Sequence, residues 1–413
     1  MRVILFTGKG GVGKTTTAAA TAVRAARSGI KTLVMSTDAA HSLGDALDVD
    51  LTASAAGLPY ESGPARTVEV EPGLSALQIN APHSLGSSWR VVQEYLLSVL
   101  ATLGIDAVVA EELTSLPGAE EIAALLELRS QVESGPWDLV VVDCAPTAET
   151  LRLLALPEAL AWHLDRLMPT QRGLLRGLRP AAAAATGLPL PGVAVFEALR
   201  RWHAHLREVQ AILRADSTTV RLVLTPERVV LAEARRTLTS LGLHGFAVDQ
   251  VVVNRVFPDA GVSDGEPDPW RSAWNRAQQR GLVEVRESFG SLPVVCSPYL
   301  DHEPIGPDDL DALYRACTGA VDPDPLTPRA GGGMTVERTG RDFVLRLSLP
   351  LVTAADVNLK RRGDELVVAV GEHRRLLSLP AALRRCVVTG ATVRDGSLRV
   401  RFEPDERVWP RDG

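Results

Sequence analysis

The residues with the clearest chemical capacity are Gly8-Lys9-Gly10-Gly11-Val12-Gly13-Lys14-Thr15-Thr16. An apolar run, Val3-Ile4-Leu5-Phe6, leads into them, and an alanine-rich segment from Thr17 to Arg27 follows without Gly or Pro. Strand, glycine loop and helix N-terminus in that order make the context of a phosphate-binding loop. Glycines adopt backbone angles closed to other residues and let amides approach phosphate oxygens. The helix N-terminus adds unpaired N–H groups and a partial positive charge. In this pattern Lys14 reaches the outer phosphates and Thr15 holds Mg²⁺. The plain alternative, a glycine turn between strand and helix, does not call for Lys and Thr at these spacings.

Two carboxylates extend the chemistry. Lys31 to Asp38 reads as a buried strand ending on an acid, and so does Trp137 to Asp143. A negative charge at the C-terminal end of a strand beside a phosphate loop suits in-line attack by water. Asp38 also reads as a simple strand-end cap. A buried strand ending in Asp, such as Asp143, is common in parallel sheets.

Lysine is scarce, standing only at positions 9, 14, 31 and 360, and two of these fall inside the loop. A loop Gly-Lys-Gly-Gly-x-Gly-Lys-Thr resembles the deviant phosphate loop of the MinD, nitrogenase-iron-protein and arsenite-ATPase branch. The resemblance implies that Lys9 touches nucleotide across the interface of a homodimer and takes part in catalysis with Lys14. Asp38-Ala39-Ala40-His41-Ser42 resembles the first switch of the arsenite-ATPase and tail-anchored-protein-targeting ATPase family, with Ala39 in place of proline. This implies that Asp38 orients or activates the attacking water. His41 reads equally as a γ-phosphate sensor and as a loop histidine. Asp143-Cys144-Ala145-Pro146-Thr147-Ala148-Glu149-Thr150-Leu151-Arg152 resembles the second switch, with Cys144 for Thr and Ala148-Glu149 for Gly-His. Asp143 then holds Mg²⁺ through water. Losing the glycine bears on switching more than on hydrolysis.

Bulk properties narrow the class. A chain of 413 residues holds more than one domain, and 46% hydrophobic content supports a large core. The net charge of −6 speaks against general nucleic-acid affinity. The opening apolar run has strand length and is not a signal peptide. No uninterrupted apolar stretch reaches membrane-span length. The expectation is a cytoplasmic protein with no membrane span. Cys144, Cys296, Cys317 and Cys386 show neither disulfide nor zinc-pair spacing. Cys144 and Cys296, at the ends of apolar runs, read as buried small hydrophobes.

The elements that must position these residues follow from the apolar runs. Leu74 to Asn80, Val220 to Thr225, Val248 to Arg255 and Leu292 to Pro298 read as further strands, with helices from Pro226 to about Leu241 and over about 270–288. Repeated strand–helix order predicts a doubly wound, mostly parallel α/β sheet with its site at strand C-terminal ends. Asp38, Asp143 and Asn254 fall at such ends. Asn254 matches the family residue that reads adenine, a task its amide suits by donating and accepting. With Arg255, and with Pro298 and Tyr299 in the loop resembling the one that closes over the base, it completes the expected ATP site. Helical insertions are expected at about 83–130 and 156–214. By resemblance the second builds a hydrophobic groove for client segments. It supplies only Met168 as methionine, and it reads also as a helical subdomain packed on itself.

The Pro/Gly-rich segment 321–333 marks a boundary between a phosphate-loop domain at 1–320 and a β-rich region at 334–404, with a tail at 405–413. Short alternating runs after the boundary predict an all-β sandwich. Their order resembles the α-crystallin domain of small heat-shock proteins. This region carries 13 Arg/Lys against 8 Asp/Glu, and docking on the first domain, docking on an acidic partner and plain solvation all fit that balance. The combined expectation is a homodimeric, Mg²⁺-dependent ATPase that binds hydrophobic client segments. Alternatives are an arsenite-transport subunit, a MinD-like positioning scaffold, and a holdase regulated by the ATPase.

Overall fold

The computed structural model describes residues 1–38, 42–51, 65–79, 86–102, 119–145, 192–258, 268–320, 326 and 334–405. In chain order the α/β part begins with β1 (Arg2–Thr7), α1 (Lys14–Arg27), β2 (Thr32–Ser36), α2 (Ser42–Leu47), β3 (Val68–Glu71) and β4 (Leu74–Gln78). Then come α3 (Gly86–Thr102), α4 (Ala119–Ser134), β5 (Leu139–Asp143), α5 (Val193–Leu213), β6 (Thr218–Leu224) and α6 (Arg228–His244). It closes with β7 (Val248–Val256), α7 (Pro269–Phe289), β8 (Val294–Pro298), α8 (Gly306–Ala316) and β9 (Thr318–Gly319). Two compact units result, one of Met1, 21–215 and 305–307, the other of 2–20, 216–304 and 308–413.

In the first unit the strand order is β3-β4-β2-β5. β2 runs parallel to β4 and β5, and only β3 is antiparallel. Both β2 and β5 are buried along their whole length, as parallel strands covered on two faces must be. Helices α3 and α5 pack on each other, and α5 also packs on α4. The first of these helices ends, among the described residues, at Thr102; most of the second expected insertion, 156–191, lies outside them, as do His41, Ala39 and the second switch from Pro146.

In the second unit the order is β1-β6-β7-β8-β9, parallel except for β9. Val3, Ile4, Leu5 and Phe6 are all buried. An ion cluster lies among these strands: Arg2 bonds Asp249, and Arg221 stands 3.6 Å from the other oxygen of the same carboxylate. All three side chains are buried, and the one carboxylate faces both guanidiniums.

The same unit carries the C-terminal region. β10 (Thr335–Thr339), β11 (Asp342–Ser348), β12 (Val357–Arg362), β13 (Glu365–Val370), β14 (His373–Ser378), the short helix α9 (Ala381–Arg384), β15 (Cys386–Arg394) and β16 (Ser397–Pro404) follow in turn. They form a four-stranded antiparallel sheet, β10-β11-β16-β15, and a three-stranded one, β12-β13-β14. Leu345, Leu347, Val368, Leu377, Val400 and Phe402 fill one core, completing a β-sandwich. The core does not stop at the sandwich: Leu243 of α6 belongs to it. A Cβ on Gly242 would lie 2.4 Å from the carbonyl oxygen of Ser348. The buried Arg375 guanidinium donates to the Leu243 carbonyl at 2.6 Å. Of the dispositions that the charge balance left open, the sandwich takes docking on the α/β part, through an apolar contact and one arginine.

Candidate nucleotide site

The phosphate loop joins β1 to α1, and its shape depends on glycine at two close approaches. A Cβ on Gly8 would stand 2.1 Å from the Val223 carbonyl of β6. Gly13 has φ +87°, and a Cβ there would meet the Asn254 amide nitrogen at 2.2 Å. Asn254 is buried at the end of β7 and donates to the Val12 carbonyl at 2.9 Å. The structure thus brings Asn254 under the loop as a brace, with one of its N–H groups on the backbone. Lys14 opens α1, is buried, and lies 3.4 Å from the Lys9 carbonyl oxygen. Thr17 ties the first helical turn back to Gly13 through backbone and hydroxyl. Gly10 and Gly11 are exposed, and Thr15 and Thr16 are half-buried at the helix start.

Lys9 points elsewhere. Its side chain is 39% exposed, and its ammonium lies 3.6 Å from Glu233 on α6. The rest of the loop does not use this lysine as a brace.

The acidic residues are organised in the first unit. Asp143 ends β5 fully buried, and the Ser36 hydroxyl donates to its carboxylate at 3.3 Å. The same hydroxyl accepts from the Asp38 backbone N–H at 3.1 Å, and Gln78 donates to the Asp38 carbonyl at 2.8 Å. Thr37 joins the two strand ends, donating its N–H to the Asp143 carbonyl and accepting from Ala145 N–H. Ser36, Thr37 and Gln78 are supporting residues that the motif reading passed over. Their signal in the sequence is faint, because hydroxyl and amide groups at strand ends are ordinary. Cys144 is buried as expected. Cys296 is only half-buried, because β9, its antiparallel neighbour, is two residues long and leaves that edge of the sheet thinly covered.

The residues expected around the base divide. Arg255 takes φ +56°, and the register between β7 and β8 slips between Val253 and Val256. That bulge turns Arg255 into a cleft between α6 and α7. Tyr299, just after Pro298, donates its N–H to the Val256 carbonyl and stacks on Phe257 with ring centroids 5.0 Å apart. Arg255, Phe257 and Tyr299 therefore gather near the end of β7, whereas the Asn254 side chain turns to the loop.

Among the described residues no group of His, Cys, Asp and Glu is arranged to hold a metal by protein ligands alone. Thr15 in the second unit offers a hydroxyl and Asp143 in the first a carboxylate, each an oxygen donor of the kind a hard Mg²⁺ takes.

The family model of anion-transporting ATPases matches residues 1–317, and that of the HSP20-like domain found in ArsA matches residues 340–402. An uncharacterized protein of Streptomyces coelicolor is 41% identical, with all of both chains covered. A Prosthecochloris vibrioformis protein described as an arsenical pump-driving ATPase is 34% identical over 98% of this chain and 97% of its own. The get3 ATPase of Aspergillus terreus is 29% identical over 75% of this chain and 88% of its own. The chain belongs to the anion-transporting ATPase family, carries the HSP20-like domain found in ArsA after its ATPase part, and is an ATPase.

Proposed function

We propose that the chain is a cytoplasmic ATP-driven switch that hydrolyses ATP with Mg²⁺ as a homodimer and uses its helical layer to bind hydrophobic client segments. The observation that carries this reading is Lys9, a second loop lysine that is partly exposed and only loosely paired with Glu233. A cation needed solely within its own loop would sit as Lys14 does, buried against the backbone. An exposed one is available to a phosphate on another chain.

In this reading the loop amides from Gly8 to Thr16 and Lys14 bind the phosphates. Thr15 and Asp143 hold Mg²⁺, which neutralises charge on the outer phosphate oxygens. Asp38 orients the attacking water and accepts its proton, with Ser36 and Gln78 fixing the backbone that carries the carboxylate. Asn254 holds the loop while Pro298 and Tyr299 flank the base, and Arg255 turns into the cleft between α6 and α7. Nucleotide state sets the switches, and these move the helical layer. Helices α3, α4 and α5 pack as one layer, which supports a client surface there. No helix of the described residues is long and apolar enough to cross a membrane.

The test is turnover and dimer formation in Lys9→Ala, read by phosphate release and by sedimentation with ADP–aluminium fluoride. Loss of both is expected; a fully active monomer would sink the reading. Client binding is tested by whether the purified protein keeps a tail-anchored substrate soluble. The relative described as an arsenical pump-driving ATPase favours a second reading, in which hydrolysis drives an arsenite pump. Stimulation of turnover by arsenite would support it over the client reading.

A further inference from the structure

Away from the phosphate loop, α6 and α7 enclose a cleft of about 760 Å³ with an unusual lining. Arg228, Arg235, Arg255 and Arg280 line it, with Phe257 and Trp274. Two carboxylates are also present: Glu227, which accepts from the Thr225 hydroxyl, and Glu284, which pairs with Arg235 at 3.5 Å. Arg228, Arg255 and Arg280 have no carboxylate partner among the described residues. The lining carries four guanidiniums against two carboxylates, a net positive charge that a bound anion would offset. Two of them carry an added local cost. Arg228 is in the first turn of α6, where the helix dipole disfavours a cation by about 0.3–1 kcal/mol and no acid stands in that turn. Arg255 occupies the left-handed region, which L side chains avoid and which recurs at ligand clamps.

The aromatic side of the cleft is equally distinct. Phe257 and Trp274 lie 6.3 Å apart, Trp274 and Trp270 6.1 Å, and Phe257 and Tyr299 5.0 Å. Trp274 is 43% exposed, a large apolar area to leave in water. Gly281 closes the floor: a Cβ there would strike the Pro226 carbonyl at 2.1 Å, so only glycine lets α7 approach so near.

This cleft is separate from the phosphate loop. None of residues 8–16 lines it. On α6, Arg228, Leu231, Ala232 and Arg235 face the cleft, and Glu233, which meets Lys9, lies about 150° around the helix from their mean direction. On β7, Asn254 faces the loop and Arg255 the cleft.

We infer that this cleft is a second ligand site, for an aromatic phosphate of mononucleotide size. Guanidinium forks recognise phosphate bidentately and stack on flat rings. Phe257 and Trp274 offer faces for the ring. The volume falls within the range of about 300–1,000 Å³ usual for small-ligand pockets.

The test is isothermal titration of the full chain with AMP and with phenyl phosphate, the phosphate loop being saturated with MgADP throughout. We expect one equivalent of either compound to bind with a Kd below about 1 mM, and inorganic phosphate to bind at least about tenfold more weakly. The double variant Arg228→Ala/Arg280→Ala should lose at least about tenfold for the aromatic phosphates while MgADP affinity at the loop changes less than about twofold. Both arginines are exposed, so the fold should survive; near-UV circular dichroism checks it. Trp274→Ala should weaken the aromatic phosphates and leave inorganic phosphate unaffected. No binding to the wild-type chain, equal affinity for inorganic phosphate, or unchanged affinity in the arginine variant would each overturn the inference.

Discussion

At the scale of single residues, the loop depends on what lies beneath it. Asn254→Ala removes the donor to Val12 and leaves a buried carbonyl without its partner, a loss of about 1–3 kcal/mol. Weaker MgADP binding, with turnover at saturating ATP much less affected, is expected, because the chemistry is carried by other groups; a purely catalytic defect would contradict the bracing role. Gly13→Ala should be worse, since it combines φ +87° with a collision against the Asn254 amide. Asp38→Asn should abolish turnover while retaining ATP binding, measured by phosphate release and by nucleotide titration. A thiol gives a pH test. Burial pushes Cys317 up to about 11 from 9.0. Both folded and unfolded thiols are neutral below pH 9, so the stability linked to this group is intact there. It is lost as pH rises from 9 toward 11, where only the unfolded thiol has ionised. Cys317→Ser should flatten that part of the melting-temperature curve.

At the scale of elements, the sequence showed more of the sheet than of its supports. Fully apolar runs such as Val3 to Phe6 and Val251 to Val253 declared buried parallel strands because both faces must be covered. Asp38 and Asp143 were legible because they close such runs. β15 escaped notice because seven of its nine residues are exposed and no alternation marks it. The buried cluster of Arg2, Arg221 and Asp249 was also hidden, since charges far apart in sequence give no local sign of meeting. Asp249→Ala would remove the carboxylate that both buried guanidiniums meet, a loss of about 3–5 kcal/mol. Urea unfolding should show it as a lowered midpoint; an unchanged midpoint would mean that water reaches these arginines. The docking on α6 was equally silent: Gly242 reads as a weak helix position and Arg375 as a solvated base. Each has its meaning only against the sandwich, where one meets Ser348 and the other the Leu243 carbonyl.

At the scale of the whole molecule, α6 ties the proposed function together. One residue of it, Glu233, holds Lys9, and its last turn is part of the sandwich core. The pair with Glu233 spans 3.6 Å with both side chains partly exposed, so its strength is about 0–1 kcal/mol. A lysine–phosphate contact is charge-assisted and stronger. In the proposed homodimer, a single chain would keep Lys9 in a shallow resting position from which a second chain's nucleotide could draw it. Removing the resting partner lowers the free energy needed for that exchange. Glu233→Gln should tighten dimer formation in ADP–aluminium fluoride by up to about fivefold, which is 1 kcal/mol, without changing MgADP affinity in the single chain. Lys9→Ala/Glu233→Gln should dimerise no better than Lys9→Ala. Sedimentation velocity across a concentration series separates these outcomes. A gain from Glu233→Gln that persists in the absence of Lys9 would show that Glu233 acts on the interface by some other route, and would break the link between the resting pair and the dimer.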